Sequence, residues 1–576
     1  MNADQLLQHF ERISEAPDAI PRLRRFILDL AVRGKLVEQD PSDEPASELL
    51  KRIAAEKARL VKDGRIKKAE AVANLTASFD VFSVPTGWAV SNLQSICQSV
   101  TDGDHLPPPK AETGIPFLVI GNVRSQKIEF EGSRFVPNSY YDALDSIRRP
   151  RSGDLLYTLV GSYGIPVLVR DDQPFCVQRH IGILRPSALI NVGFLARAME
   201  SRFAYEQATA CATGIAQKTV SLSGLRKLML PLPPLAEQHR IVVKVDELMS
   251  LCDQLDAAKA GREKCRDSLV AASLQRLNQP AEEEETFREH ARFTFNNLPR
   301  ITTRAAHIKQ LRQTILNLAV RGALGTSQSD DPSALEDIKL IKDRKMGAAL
   351  RKPKPVAPIE KNEQWCSLPC GWEWTRWDQI TDWITYGFTR PMPHEAVGVP
   401  IVTGKNVNHG RIIYETADRT PQAAYNTLSD KDKPQTGDIL ITKDGSIGRT
   451  AVVEGGKIFC INQSVAVLWL RSCHLNRRFL QMVLDCPATQ LALLERTAGV
   501  AIKHISINDL GKMAFPLPPL PEQHRIVAKV NELTAICDQL EAQITEKEQD
   551  SRRFLESILA DALAPGMDLS AEVQVA

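Results

Sequence analysis

PLPPLAEQHRIVVKVDELMSLCDQL (Pro231–Leu255) is written nearly again as PLPPLPEQHRIVAKVNELTAICDQL (Pro516–Leu540), 285 positions further on. In the second copy Ile526, Val530, Leu533, Cys537, Leu540 and Ile544 step at 4-3-4-3-4 spacing; the first copy keeps the step at Ile241, Val245, Leu248, Cys252 and Leu255. An apolar stripe of period 3.5 is the seam of a coiled-coil helix. Prolines stop just before each run, where a missing N–H costs nothing. Glu237 and Glu522 then fall in the first turn, where a negative charge meets the positive end of the helix dipole. The first helix is predicted to continue through REKCRDSLVAASLQRL to about Leu277, a rod of roughly 60 Å at 1.5 Å per residue.

The similarity extends outward from that stretch. Upstream, RLRRFILDLAVRGKL (Arg22–Leu36) matches QLRQTILNLAVRGAL (Gln310–Leu324) at ten of fifteen positions; each reads as a helix closed by a Gly cap. SVPTGW (Ser83–Trp88) answers SLPCGW (Ser367–Trp372), and SGDLLYTLVGSYG (Ser152–Gly164) answers TGDILITKDGSIG (Thr436–Gly448). The order of matches never changes, so the chain is a tandem duplication of about 285 residues. Between the helical stretches short β-rich runs alternate with Gly, Pro and Asn turns, and a helical piece follows (FLARAMESRFAYEQA; RRFLQMVLDCPATQLALLE). Each such block reads as an α+β globule. The expected architecture is two globules related by a pseudo-two-fold axis and separated by long antiparallel coiled-coil helices. NQPAEEEET and KPKPVAPIEK read as solvated and Pro-stiffened linkers.

Similarity is strongest in the helical stretches. Inside the globules only a skeleton of Gly, Asp, Pro and apolar positions persists: GNVRSQKIEF faces KNVNHGRIIY, and TLVGSYGIPV faces TKDGSIGRTA. The halves share a frame and differ where a ligand would be met.

Composition bounds the rest. At 576 residues with 43% hydrophobic and 25% charged side chains, the chain is of globular type and too long for one core. No apolar run is of membrane-spanning length, and MNADQLLQHFERISEAPD lacks the apolar core of a signal peptide. The eleven cysteines are scattered and form no CxxC pair, which places the chain in the cytoplasm. CSLPC (Cys366, Cys370) reads as two ordinary thiols beside a turn. Net charge is +2, with +3 over 81–230, +2 over 365–515 and −3 over the remainder, a small bias toward an anionic partner.

Catalytic signatures are absent. The four GK pairs are followed by Leu, Asn, Ile and Met, so no phosphate loop GxxxxGKS/T is formed. HEAVG at His394 lacks the second His of a zinc-protease helix, the amino-methyltransferase tetrapeptide is missing, and LVIGNV and LVGSYG do not complete GxGxxG. The repeated EQHR, with His239 and His524 in register, reads as a helix start that caps itself or meets a partner; Gln238, Arg240, Gln523 and Arg525 are its partner-binding candidates. TDGDHLPPPK (Thr101–Lys110) and its counterpart TYGFTRPMPH (Thr385–His394) read either as solvated loops or as loops that contact bases and phosphates. The DNA-contacting candidates are His105, Lys110, Asn122, Arg124, Lys127, Tyr163 and Arg179 in the first globule. In the second they are Tyr386, Thr389, Arg390, Lys405, Asn406, Lys443 and Arg449. Asn122 and Asn406 match across the halves, which suits a frame or shared backbone contact better than a base preference.

The tandem plan, LPPLxEQHRIV opening each long helix, ILxLAVRGxL, P-x-GW, and GDxL-x-T-x-x-G-S-x-G together resemble the specificity subunit of type I restriction-modification enzymes. The resemblance covers nearly the whole chain. It implies two target-recognition domains, at 81–230 and 365–515, with helical regions at 1–80, 231–364 and 516–576. It implies double-stranded DNA, two modification subunits and restriction subunits as partners. It implies no active site or cofactor in this chain, with S-adenosylmethionine, ATP and Mg on the partner subunits. A helical scaffold with two protein-binding globules is the alternative; an enzyme with an unrecognised site fits the missing motifs poorly.

Overall fold

A computed structural model describes residues 16–67, 84–105, 107–124, 127–214, 217–279, 284–347, 358–408, 410–497 and 503–563. Residues 280–283 of the expected acidic linker, all but the end of the Pro-stiffened one, and the ends of the 1–80 region lie outside them. The chain forms two compact units, one of residues 1–261 with 548–576 and one of residues 262–547.

In the first unit the helix Ala19–Val32 buries Ile20, Leu23, Ile27 and Val32. It ends at Arg33, followed by Gly34 at φ 65°, and the Lys35 N–H returns to the Leu30 carbonyl at 3.0 Å. The second unit repeats this ending after the helix Ala305–Val320, with Gly322 at φ 73° and Ala323 N–H on Leu318 O at 2.9 Å. Only glycine suits the site twice over. Its φ is left-handed, and an added Cβ would lie 2.3 Å from Pro85 at Gly34 and 2.4 Å from Pro369 at Gly322.

The long helices are Leu235–Asn278 and Leu520–Leu563, 44 residues each. Their predicted seams are covered within their own units: Ile241, Val245 and Cys252 are buried with Leu248 and Leu255 packed beside them, and Ile526, Val530 and Cys537 with Leu533, Leu540 and Ile544. In the first unit Lys259 reaches Ala16 O at 2.9 Å and Arg24 reaches Asp253 at 2.5 Å, so the short helix runs antiparallel to the start of its long helix. Arg22 meets Glu556 at 2.9 Å, and Leu555 and Ile558 complete the same core. The second unit matches with Arg312 on Asp538 at 2.6 Å, while Val270, Leu274 and Leu277 fill its core. Each unit therefore packs one short helix, the start of one long helix and the end of the other.

Each globule is closed by its first and last strands: Ala89–Asn92 pairs with Met229–Leu232, and Glu373–Arg376 with Ala514–Leu517. Inside, a four-stranded antiparallel sheet runs Cys97–Asp102, Ile181–Pro186, Leu155–Thr158, Pro166–Leu168. Its counterpart runs Trp383–Tyr386, Val465–Trp469, Ile439–Thr442, Thr450–Val452. Leu155–Thr158 and Ile439–Thr442 are buried at every position, which accounts for their unbroken apolar character. A three-stranded sheet accompanies each, Arg134–Val136, Ile115–Leu118, Cys176–Val177 in the first globule and Asp418–Thr420, Val399–Val402, Cys460–Ile461 in the second. The architecture is α+β and duplicated, with a long helix following each globule in chain order.

The helical piece after each sheet is two helices where the sequence suggests one. Val192–Glu200 stops at Ser201, whose hydroxyl accepts the Ala204 N–H at 3.3 Å and starts Arg202–Ala210. Arg477–Asp485 stops at Cys486, because Pro487 opens the next helix, Pro487–Glu495, and disfavours helical backbone in the residue before it.

Candidate nucleic-acid interface

At one end of each four-stranded sheet three turns converge. Gly103 lies flat on the chain after Cys176–Val177: a Cβ there would stand 1.9 Å from Val177 O, and one at Gly387 would stand 1.8 Å from Ile461 O. Parallel bridges join Asp104 to Gln178 and Phe388 to Asn462, so the loop carrying His105 runs beside the turn carrying Arg179. The third turn is GSYG or GSIG. Thr158 Oγ1 donates to Ser162 O at 2.7 Å and accepts the Ile165 N–H at 3.0 Å; Thr442 does the same with Ser446 O and the Arg449 N–H. The repeated Thr of GDxL-x-T is thus the clasp of this turn.

On this common frame the two ends carry different chemistry. In the first, Arg148 donates to Gly103 O at 2.5 Å and lies 3.9 Å from Asp102 and 3.7 Å from Asp104. Tyr140 donates to Asp104 at 2.9 Å, which with burial raises its pKa, and His105 lies 3.0 Å from Asp102. Burial and the Arg179 charge beside it lower the pKa of His180. In the second end Tyr386 stands where the first has Asp102, and the ammonium groups of Lys431 and Lys443 lie 5.2 and 5.1 Å from its ring centre.

Of the predicted contacts, His105, Lys110, Arg124, Lys127 and Arg179 are exposed in the first unit, and Thr389, Arg390, Lys405 and Arg449 in the second. Arg124 and Lys127 close a hairpin and face Glu129 at 3.3 and 3.8 Å; Arg390 donates to Thr427 Oγ1 at 2.6 Å. Three of the candidates, Tyr163, Asn122 and Asn406, are buried. Tyr163 is only 9% exposed, donating to Thr209 at 3.0 Å and stacked on Tyr205, which is 46% exposed and is the ring that faces outward. Asn122 and Asn406 are buried: Asn122 takes the Val119 N–H at 2.9 Å and donates to Glu129 O at 3.0 Å, while Asn406 takes the Thr403 N–H at 3.0 Å and donates to Thr416 Oγ1 at 3.3 Å. Both asparagines pin the turn that starts a hairpin.

The EQHR stretch is an internal clasp. Gln238 and Gln523 are fully buried; each donates to a proline carbonyl, Pro233 at 3.0 Å and Pro518 at 2.9 Å, and each accepts a backbone N–H, from Asn191 at 3.0 Å and Asn476 at 2.9 Å. Buried amides with both ends occupied present nothing to a partner, which corrects their assignment. Glu237 and Glu522 accept Trp88 and Trp372 at 2.9 and 2.8 Å, and burial raises the Glu237 pKa. Arg240 holds Asp43 at 2.6 Å and Arg525 holds Asp331 and the Thr326 carbonyl, the latter at 2.8 Å. Sequence reasoning missed this pairing, for which the matched recurrence of P-x-GW and EQHR was the available signal; Arg148, Lys431 and Tyr205 were legible only as diverged positions between the halves.

The model of the type I restriction modification DNA specificity domain matches residues 85–261 and 396–547. The EcoAI specificity subunit of a type I restriction enzyme from Escherichia coli is 31% identical over 94% of this chain and 93% of its own. The EcoEI specificity subunit of the same species is 28% identical over 94% and 93%. A solved HsdS subunit from Thermoanaerobacter tengcongensis is 20% identical, covering 84% of this chain and 98% of that chain with a TM-score of 0.41. This is a chain of DNA-specificity domains. It belongs to the specificity-subunit family of type I restriction-modification systems. Among the described residues no helix is long and apolar enough to cross a membrane.

Proposed function

We propose that the chain is the non-catalytic target reader of a type I restriction-modification complex in the cytoplasm. Each globule reads a few base pairs of one duplex through its recognition-end turns, so the target is bipartite. The target is also asymmetric, because the two sets of turns differ. The observation that carries this reading is the contrast within each globule: Thr158 and Thr442, and Gly103 and Gly387, make the same frame contacts, and Asn122 and Asn406 both accept the N–H three residues before them, whereas Asp102, Asp104 and Arg148 of the first globule are replaced by Tyr386, Phe388 and Asp432 in the second. A frame duplicated with its end surfaces changed suits two readers of different sequences.

The duplicated helices are the docking surface for two modification subunits, with restriction subunits joining the assembled complex. S-adenosylmethionine, ATP and Mg act on those partners. The exposed pairs Lys244–Glu247 at 3.0 Å and Lys529–Glu532 at 2.9 Å repeat on the outer side of the two long helices. In the second unit Lys529 and Glu532 border a shallow cleft with Gly325, Ser327 and Arg525. Mapping methylated adenines in a host genome with and without this chain tests the reading. A two-part asymmetric motif that disappears with the chain is expected; an unchanged methylation pattern would leave the protein-binding scaffold as the better account.

A further inference from the structure

We infer that Lys431 and Lys443, held over the ring of Tyr386, form a clamp for a single backbone phosphate in the second globule; the inference rests on the DNA-reading role above. The two ammonium groups lie 5.2 and 5.1 Å from one ring centre, so they are no further apart than those distances together. Two like charges held around one aromatic ring repel each other, and the electron-rich ring offsets only part of that cost. Their carboxylates do not remove the arrangement: Lys443 is paired to Asp444 at 2.9 Å, but Lys431 lies 3.8 Å from Asp432 and 3.5 Å from the Tyr386 carbonyl. Lys405 and Lys503 are exposed on adjoining turns: Gly404 N–H bonds Ser464 Oγ at 2.9 Å, the Ser464 carbonyl takes the Lys443 N–H at 2.9 Å, and the Lys503 carbonyl takes the Gly445 N–H at 3.0 Å. The four lysines outnumber Asp430, Asp432 and Asp444 by one at this end.

The chemistry favours phosphate over a base edge. Lysine offers a compact point charge rather than the planar fork that reads guanine. An anionic oxygen shared between two ammonium groups relieves their repulsion, which a neutral acceptor does less well. The first globule has no equivalent: Asp102, Ile147 and Leu159 occupy the positions of Tyr386, Lys431 and Lys443. The clamp therefore positions one half of the target and is silent on its sequence.

The test uses the full chain assembled with its modification subunits and a duplex carrying the mapped target, with affinity measured against salt. Lys431→Ala is expected to reduce the slope of log affinity against log salt by about 1. It is expected to weaken target and mismatched duplexes alike, and Lys431→Arg is expected to restore the slope. One neutral methylphosphonate, scanned along the second half-site, should weaken the wild-type complex at one position, weaken Lys431→Ala less there, and have no effect there on the double variant Lys431→Ala with Lys443→Ala. An unchanged slope in Lys431→Ala, or a loss confined to substitution of one base pair, would overturn the clamp while leaving the DNA-reading role standing. Absence of salt-dependent duplex binding by the wild-type complex would overturn that role itself.

Discussion

Asp485 is a carboxyl buried at the end of the helix Arg477–Asp485, where Thr450 Oγ1 donates to it at 2.6 Å. Its counterpart Glu200 has Arg197 at 3.1 Å, but the position matching Arg197 is Met482, so Asp485 has lost its cation. Burial raises its pKa to about 6. The native state then holds a proton that the unfolded chain has released. Stability from this group is full below pH ~4 and falls as pH rises through about 6. Asp485→Asn keeps an oxygen for Thr450 and removes the titration. It is expected to be more stable than wild type at pH 8 by up to about 3 kcal/mol, given about 1.4 kcal/mol per pKa unit, with the advantage vanishing near pH 4 in paired chemical-denaturation curves. At the same scale Asn122→Ala and Asn406→Ala remove buried hairpin pins, each at about 1–3 kcal/mol. Hydrogen exchange confined to residues 119–129 or 403–416 would report the loss.

Elements show where the sequence was legible and where it was not. Period and spacing located the long helices, because a seam that repeats every 3.5 residues has few other readings. The expected end near Leu277 compares with Asn278 in the structure. The break at Ser201 was missed because ARAMESRFAYEQA keeps helical apolar spacing straight through it, and only the serine's cap distinguishes two helices from one. Gln238 looked like a surface group because polar side chains usually are; its burial, and the pairing of the half-exposed Arg240 with Asp43, arise from contacts with distant residues such as Asn191 and Asp43 that no local pattern encodes. The clasp yields a prediction. Gln238→Leu leaves the Asn191 N–H and the Pro233 carbonyl without partners, and is expected to destabilise the first unit by about 2–4 kcal/mol. Glu237→Gln, which still accepts from Trp88, is expected to cost less. Thermal unfolding of the two variants, with Gln523→Leu as the matched control in the second unit, measures the difference. Charge reversal at Arg240 and Arg525 disturbs Asp43 and Asp331 as well as any partner, so Lys244→Glu with Lys529→Glu is the cleaner probe of docking. Loss of co-purification with modification subunits, with folding unchanged, is its expected outcome.

For the whole molecule, duplication separates what must stay equal from what must differ. The helical stretches keep their sequence, as the proposed docking of two modification subunits requires, while the turn-bearing ends of the globules keep mainly residues that shape their turns, such as Gly103 and Gly387 or Thr158 and Thr442. Replacing residues 81–230 with the first domain of another specificity subunit imports a new set of turns onto an unchanged closure. The last residues removed are Met229 and Leu230, whose strand pairs Asn92 and Ser91, so the graft carries both sides of that part of the ladder. Ala89 and Val90 must still pair with the retained Leu232 and Pro231. The register of these pairs is set by which side chains the pair buries, so it is preserved by a donor that keeps that burial pattern in its first strand. One half of the methylated motif is expected to change, with the other half and the gap retained. A change in both halves would mean that the globules do not read independently. A change in the gap alone would assign spacing to the grafted turns, against the expectation that the 44-residue helices set it.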